Sequence, residues 1–189
     1  MPSYLTIKEF NATPISFSKT FDLKEEIHSF AKNPAKTAVI LQPFRESTTN
    51  TKLSVALKGE LFTDGIVVSD EYKTHSIGLR FENETESNQF RDSATSIFDS
   101  VFGSDKESND WTYRDFIKKD TDIWLKLKPD ESKTSYNIKS DIKLHPKKPK
   151  DAGLHSGDSI TAIVDLAAYF SLHDKTYGIT PKLREIIVE

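Results

Sequence analysis

Lysines and aromatic residues are concentrated in one stretch of the chain, residues 123–150. Eight lysines and three carboxylates give this stretch a net charge of +5. The whole chain carries −3, so the remaining residues carry −8. A large aromatic ring can stack on an unpaired nucleobase, and lysines beside it can contact the phosphates of a single strand. The residue types and the charge asymmetry therefore predict a binding face for single-stranded nucleic acid.

The candidate binding residues lie on two predicted strands and on the loop that follows them. Trp124 and Tyr136 are the candidates for base stacking, although Tyr136 shares the register of the predicted core residues. The stretch contains no arginine, which disfavours bidentate recognition of guanine edges. The candidates for phosphate contacts are all lysines: Lys126, Lys128, Lys139, Lys143, Lys147, Lys148 and Lys150.

These features also have a simpler explanation, because runs of charge are usually solvated surfaces. The lysine-rich strands would then form an outer face, with Trp124 covering one end of the fold. The loop HPKKPK, residues 145–150, could hold a nucleic-acid backbone or serve as a nuclear import signal, and its simpler explanation is an exposed solubilising loop. The alternative function is a structural or interaction protein, such as a virion or assembly component, whose basic face binds an acidic partner.

Residue types that carry catalysis lack the necessary spacing. The five histidines are scattered without the spacing of metal ligands, and the chain has no cysteine. Residues 155–158, HSGD, include the residue types of a catalytic triad, but adjacency in sequence does not give triad geometry. The sequence contains no P-loop, GxGxxG or HExxH motif. We therefore expect a non-catalytic protein with no catalytic residues, no metal and no cofactor.

Alternating apolar residues predict that most of these candidates lie on β-strands. In residues 53–61 and 123–128, apolar side chains fall on one face and polar ones on the other. In the second of these strands the alternation turns Trp124 outward. Residues 136–144 alternate in the same way and are predicted to form a hairpin with 123–128, with the polar faces on one side. Residues 159–171 are apolar on both faces, which favours a central strand.

One segment between the strands has the period of a helix. Six apolar residues recur on one helical face: Phe90, Ala94, Ile97, Phe98, Val101 and Phe102. Asn83 can cap the start of this helix, with Glu86 three residues on as in a capping box, and Gly103 can end it. We predict a single, mainly β domain over residues 1–189. It is a small closed or nearly closed β-barrel with an inserted α-helix at 84–102, and a β-sandwich is the alternative.

Four segments carry a resemblance to a known class of proteins: DIWLKLK, YNIKSDIKL, GDSITAIVDLAAYF and YGITPKLREIIV. Their order is similar to that of the single-stranded DNA-binding replication proteins of phages and large DNA viruses, which use an OB-fold. The resemblance extends from residue 123 to the C-terminus and, more loosely, to the strands at 51–81.

This resemblance implies an OB-like β-barrel that binds single-stranded DNA without sequence preference, in DNA replication or protection. RNA is left open as a second ligand, and replication proteins are the candidate protein partners. Five of the candidate residues would line the groove: Trp124, Lys126, Lys128, Lys139 and Lys143.

The composition predicts a soluble, intracellular protein that does not contact a membrane. No apolar run approaches the roughly 18 residues of a membrane span. The N-terminal sequence MPSYLTIKEF lacks the basic and apolar regions of a signal peptide. If the protein is viral, the expected location is the host nucleus or cytoplasm. The sequence pI near 6.0 confines any nucleic-acid contact to one face of the molecule.

Overall fold

The computed structural model describes residues 4–13, 15–17, 32, 38–41, 43–45, 51–65, 67–69, 74–99, 111–127, 143–146 and 154–188. The fold is mainly β, as predicted. The helices are α1 (Ile7–Ala12) and α2 (Glu84–Ser96). The strands are β1 (Ile15–Phe17), β2 (Ala38–Leu41), β3 (Pro43–Arg45), β4 (Thr51–Lys52), β5 (Ser54–Leu61), β6 (Val67–Ser69), β7 (Thr74–Phe81), β8 (Thr112–Tyr113), β9 (Ile117–Lys118), β10 (Asp122–Lys126), β11 (Lys143–Pro146), β12 (Ser159–Ser171) and β13 (Thr176–Val188).

Five strands pair with one another in a ring. Strand β5 is antiparallel to β7 and to β12, β7 is antiparallel to β10, and β12 is antiparallel to β13. Strand β13 pairs in parallel with β10 at one described residue pair, Lys126 and Lys182, so the ring is partial. The ring order is thus β5-β7-β10-β13-β12, in which the last two strands are exchanged relative to their order in the chain. A separate sheet consists of β1, β3 and β4.

Alternating apolar side chains of the ring strands form the core. Val55 and Leu57 of β5 and Leu125 of β10 are fully buried, which confirms the predicted faces of these two strands. Leu79 of β7 is fully buried as well. Strand β12 is buried on both faces over most of its length. It pairs with β5 and β2 on one edge and with β13 on the other, so the prediction of a central strand is confirmed.

Helix α2 connects β7 to the segment before β10. The side-chain oxygen of Asn83 accepts a hydrogen bond from the Glu86 amide at 2.9 Å, which is the predicted N-terminal cap. Phe90 and Ala94 are fully buried on the face turned to the core. The helix runs to Ser96 and is followed by a turn that buries Phe98, and Asp99 is again helical. Residues 100–103 lie outside the described part of the chain. No helix among the described residues is long and apolar enough to cross a membrane.

The described residues do not form the predicted hairpin between 123–128 and 136–144. Both edges of β10 are paired, one with β7 and the other with β9 and β13. Strand β11 instead pairs in parallel with the end of β13. Alternation sets the face on which a side chain lies, but it does not choose the partner strand.

Strand β13 begins at Thr176, and Pro181 lies inside it. On one edge Pro181 is paired with Leu166. On the other edge, the described partners are β8 at Tyr177 and β10 at Lys182. Pro181 therefore falls between two partner strands, where its missing N–H interrupts no ladder among the described residues.

Candidate functional site

The outer face of β7 and β10 carries the solvent-exposed indole of Trp124. This side chain is 39% exposed, whereas Ile123 and Leu125 on either side of it are fully buried. The alternation of the strand therefore turns the ring outward, as predicted. The residue paired with Trp124 on β7 is Gly78, which leaves space beside the indole.

Phe62 fills the space above Gly78. The amide of Phe62 donates a hydrogen bond to the Gly78 carbonyl at 3.0 Å, and the Gly78 amide donates to Oγ1 of Thr63 at 3.0 Å. A Cβ atom at position 78 would lie 2.4 Å from Cζ of Phe62, so the approach requires glycine. The Phe62 and Trp124 ring centroids are 5.1 Å apart at an interplanar angle of 82°, a T-shaped contact. We call these two residues the aromatic platform.

Arg80 lies beside the aromatic platform and is held by a carboxylate. Its Cζ atom is 5.4 Å from the centroid of the Phe62 ring, within the range of a cation–π contact. Nε and Nη2 donate hydrogen bonds to the two carboxylate oxygens of Asp122, at 2.7 and 3.1 Å. The side chain of Asp122 is only 7% exposed, and that of Arg80 is 50% exposed. The hydrogen bond to Asp122 raises the pKa of Arg80. The two hydrogen bonds fix the orientation of the guanidinium group.

Two lysines lie side by side where β10 meets β13. Lys126 and Lys182 are paired residues, and paired side chains point to the same face of a sheet. Lys126 is exposed and Lys182 is partly exposed. Neither forms an ion pair with another residue in the described part of the chain. Asp165 of β12 is paired with Lys182 on its other edge, and its carboxylate lies 3.5 Å from Arg184. The two lysines and Arg184 thus outnumber this carboxylate, which favours an anion such as a phosphate here.

The structure places some of the predicted binding residues and leaves others outside the described residues. Trp124 and Lys126 share the outer face of β10, as predicted. The backbone of Lys143 lies in β11, paired with Glu185 of β13, about 10 Å along that strand from Lys182. Six of the predicted residues lie outside the described part of the chain: Lys128, Tyr136, Lys139, Lys147, Lys148 and Lys150. The binding roles of all nine residues remain predictions.

Sequence reasoning missed three residues of this face: Phe62, Arg80 and Lys182. They are distant in sequence from the basic stretch, and the fold alone brings them to it. A local signal exists for Arg80, because it alternates with the core residues Leu79 and Phe81 and must therefore point outward. Residues 123–150 contain no arginine, which disfavoured bidentate recognition of guanine edges. In the fold, Arg80 lies beside Trp124, so such recognition is no longer disfavoured.

The two glycines on this part of the sheet are expected to differ sharply in their tolerance of alanine. In Gly59→Ala the new Cβ would lie 2.1 Å from the backbone oxygen of Arg80, which cannot move without breaking the sheet. We expect a loss of about 1–3 kcal/mol in the free energy of unfolding, or more. In Gly78→Ala only the Phe62 ring must move, so we expect a smaller loss. Urea denaturation of both variants measures this, and equal losses would show that the Phe62 ring is as fixed as the backbone.

A cleft between α2 and the β8–β9 segment offers a second concave surface. Its lining includes Arg91, Asp92, Asp99, Tyr113 and Asp115. Arg91 and Asp115 pair with each other, Nε to Oδ2 at 2.9 Å. Burial raises the pKa of Tyr113 to about 12, so its hydroxyl stays protonated at neutral pH and is unsuited to act as a base.

Neither a metal-binding group nor similarity to known proteins indicates a function for these surfaces. The described residues contain no group of three or more histidine, aspartate or glutamate side chains arranged to hold a metal ion. Comparisons of this chain with protein-family models, curated proteins and solved structures found no match.

Proposed function

We propose that this protein binds single-stranded DNA without catalysis, and that the strand lies on the outer face of β7 and β10. The observation that carries the proposal is the exposed Trp124, packed edge-on against Phe62 and flanked by Arg80 and Lys126. Stacking of a base on an aromatic side chain is worth about 1–3 kcal/mol and works with every base. A role in DNA replication or protection, with replication proteins as partners, belongs to the same proposal.

The strand pairing supports the finer proposal that the ring is an OB-like barrel. An OB-fold is a five-stranded, partly open barrel that binds oligonucleotides on its second and third strands and on two of its loops. In chain order the ring strands are β5, β7, β10, β12 and β13, so the second and third are β7 and β10. The aromatic platform combines Trp124 of the third strand with Phe62, at the start of the loop between the first and second.

The competing β-sandwich would be two separate sheets packed face to face. The pairing of β13 with both β12 and β10 joins the five strands into one ring instead, which favours the barrel.

The phosphates of the strand are assigned to the lysines. Lys126 and Lys182 form the contact that the geometry supports best, because their charges are adjacent. The carboxylate of Asp165, the residue paired with Lys182 on β12, lies 3.5 Å from Arg184, which offsets its charge. We also assign phosphate contacts to the other candidate lysines, which follow β10 in the sequence: Lys128, Lys139, Lys143, Lys147, Lys148 and Lys150. Tyr136 is proposed as a second stacking residue.

Titration with a fluorescent oligo-dT at several salt concentrations tests the proposal. Each phosphate that a lysine neutralises on a single strand lowers the slope of log affinity against log salt by about 0.7. For three to five contacts we expect a slope on the order of −2 to −4. An oligo-U of equal length compares RNA with DNA in the same assay.

Two double variants make the test specific to this face. Lys126→Ala/Lys182→Ala is expected to flatten the slope by up to about 1.4. The control Lys8→Ala/Lys52→Ala removes two exposed lysines from α1 and β4, which do not pair with β7 or β10, and should leave the slope unchanged. Absence of binding at low salt would reject the proposal and favour the structural protein with an acidic partner.

A further inference from the structure

We propose that Arg80 gives this surface a preference for guanine, by donating two hydrogen bonds to O6 and N7 of a base stacked on the aromatic platform. This inference rests on the proposed function and adds base selectivity to it. It is carried by three properties of Arg80: a free pair of donors, an acidic surrounding, and a position beside Trp124.

The free donors follow from how Asp122 holds the guanidinium. A guanidinium group has five N–H donors in a fixed planar arrangement. Asp122 occupies the edge formed by Nε and Nη2. The edge formed by Nη1 and Nη2 keeps two N–H groups that point away in the same plane. Because the Arg80 side chain is half exposed, this second edge is open to a ligand.

The charges around Arg80 favour a neutral ligand over a phosphate. Asp122 neutralises the guanidinium directly. Glu60, the residue paired with Arg80 on β5, is exposed and adds a second negative charge nearby. One cation beside two carboxylates does not attract a phosphate strongly. Near Lys126 and Lys182 the cations are in excess, because the neighbouring Asp165 is ion-paired with Arg184. The open edge of Arg80 therefore suits a neutral group that has two adjacent hydrogen-bond acceptors.

Guanine fits this requirement best among the four bases. Its O6 and N7 are adjacent acceptors, whereas adenine presents a donor beside N7 and thymine a methyl group beside O4. Cytosine has adjacent acceptors in O2 and N3, but its single ring offers less area for stacking. Trp124 and Arg80 are diagonal neighbours across β10 and β7, a separation of about 7–8 Å. A purine stacked on the platform spans that distance.

The test uses an oligo-dT of about twelve nucleotides, within the site sizes usual for OB-folds. Its central residue is T, G, A, C or 7-deazaguanine, which lacks the N7 acceptor. We expect guanine to bind about 5- to 150-fold more tightly than adenine, and 7-deazaguanine to lose most of that advantage. Arg80→Lys keeps the charge but removes the planar pair of N–H donors. It should therefore reduce the guanine preference with little effect on binding of the all-T oligonucleotide.

A matched control is Arg91→Lys. Arg91 is also an arginine paired with an aspartate, but it lies on α2 and not on β7 or β10. This change should leave the guanine preference intact.

Several results would overturn the inference while leaving the proposed function standing. They are equal binding of all five oligonucleotides, undiminished binding of 7-deazaguanine, or a preference for cytosine. A uniform loss of affinity in Arg80→Lys with a flatter salt slope would identify Arg80 as a phosphate ligand instead. Absence of binding to every oligonucleotide would reject the proposed function and this inference with it.

Discussion

Replacing Phe98 with alanine is expected to lower the free energy of unfolding by about 3–5 kcal/mol. Phe98 is fully buried. Its ring packs edge-on against Tyr177 at 4.9 Å and against Phe170 at 5.6 Å between centroids. The truncation therefore leaves a cavity where the segment after α2 meets β12 and β13, and it removes aromatic contacts as well. Urea denaturation followed by circular dichroism measures the loss.

Phe62→Ala is the matched control for this change. It removes the same atoms from a ring that is only partly buried on the outer face. We expect it to lower stability much less than Phe98→Ala, and to weaken oligonucleotide binding. Comparable stability of the wild-type protein and Phe98→Ala would show that the segment after α2 does not pack on the ring strands.

Trp124→Ala is expected to weaken binding of single-stranded DNA by about 1–3 kcal/mol, because one base loses its stacking surface. The salt slope should stay unchanged, since no cation is removed. Stability should fall only modestly, because the indole is partly exposed and its contact with Phe62 is worth about 0.5–1.5 kcal/mol. Fluorescence anisotropy with labelled oligo-dT gives the affinity and the slope, and urea denaturation gives the stability.

The control for Trp124 is Ile40→Ala, which removes an exposed apolar side chain from β2, outside the platform. It should leave the affinity unchanged. If Trp124→Ala binds as tightly as the wild-type protein, the aromatic platform is not a stacking surface. A loss of stability as large as that of Phe98→Ala would mean that the indole is a core residue.

Much of the local structure follows from the sequence without any knowledge of the fold. The period of two in β5 and β10 determines which residues are buried, because successive side chains of a strand point to opposite faces. Trp124 therefore had to lie outside if Ile123 and Leu125 lay inside. The start of α2 was also predictable, since Asn83 supplies the cap and Phe90 and Ala94 share one helical face.

The partners of each strand, and with them the composition of the candidate site, are decided only by the tertiary structure. The basic stretch suggested a local hairpin, yet β10 pairs with β7 and β13 from other parts of the chain. These pairings bring Phe62, Arg80 and Lys182 to Trp124. The physical reason is that alternation constrains only the face of a side chain, whereas the choice of neighbour depends on how all the strands together bury one core.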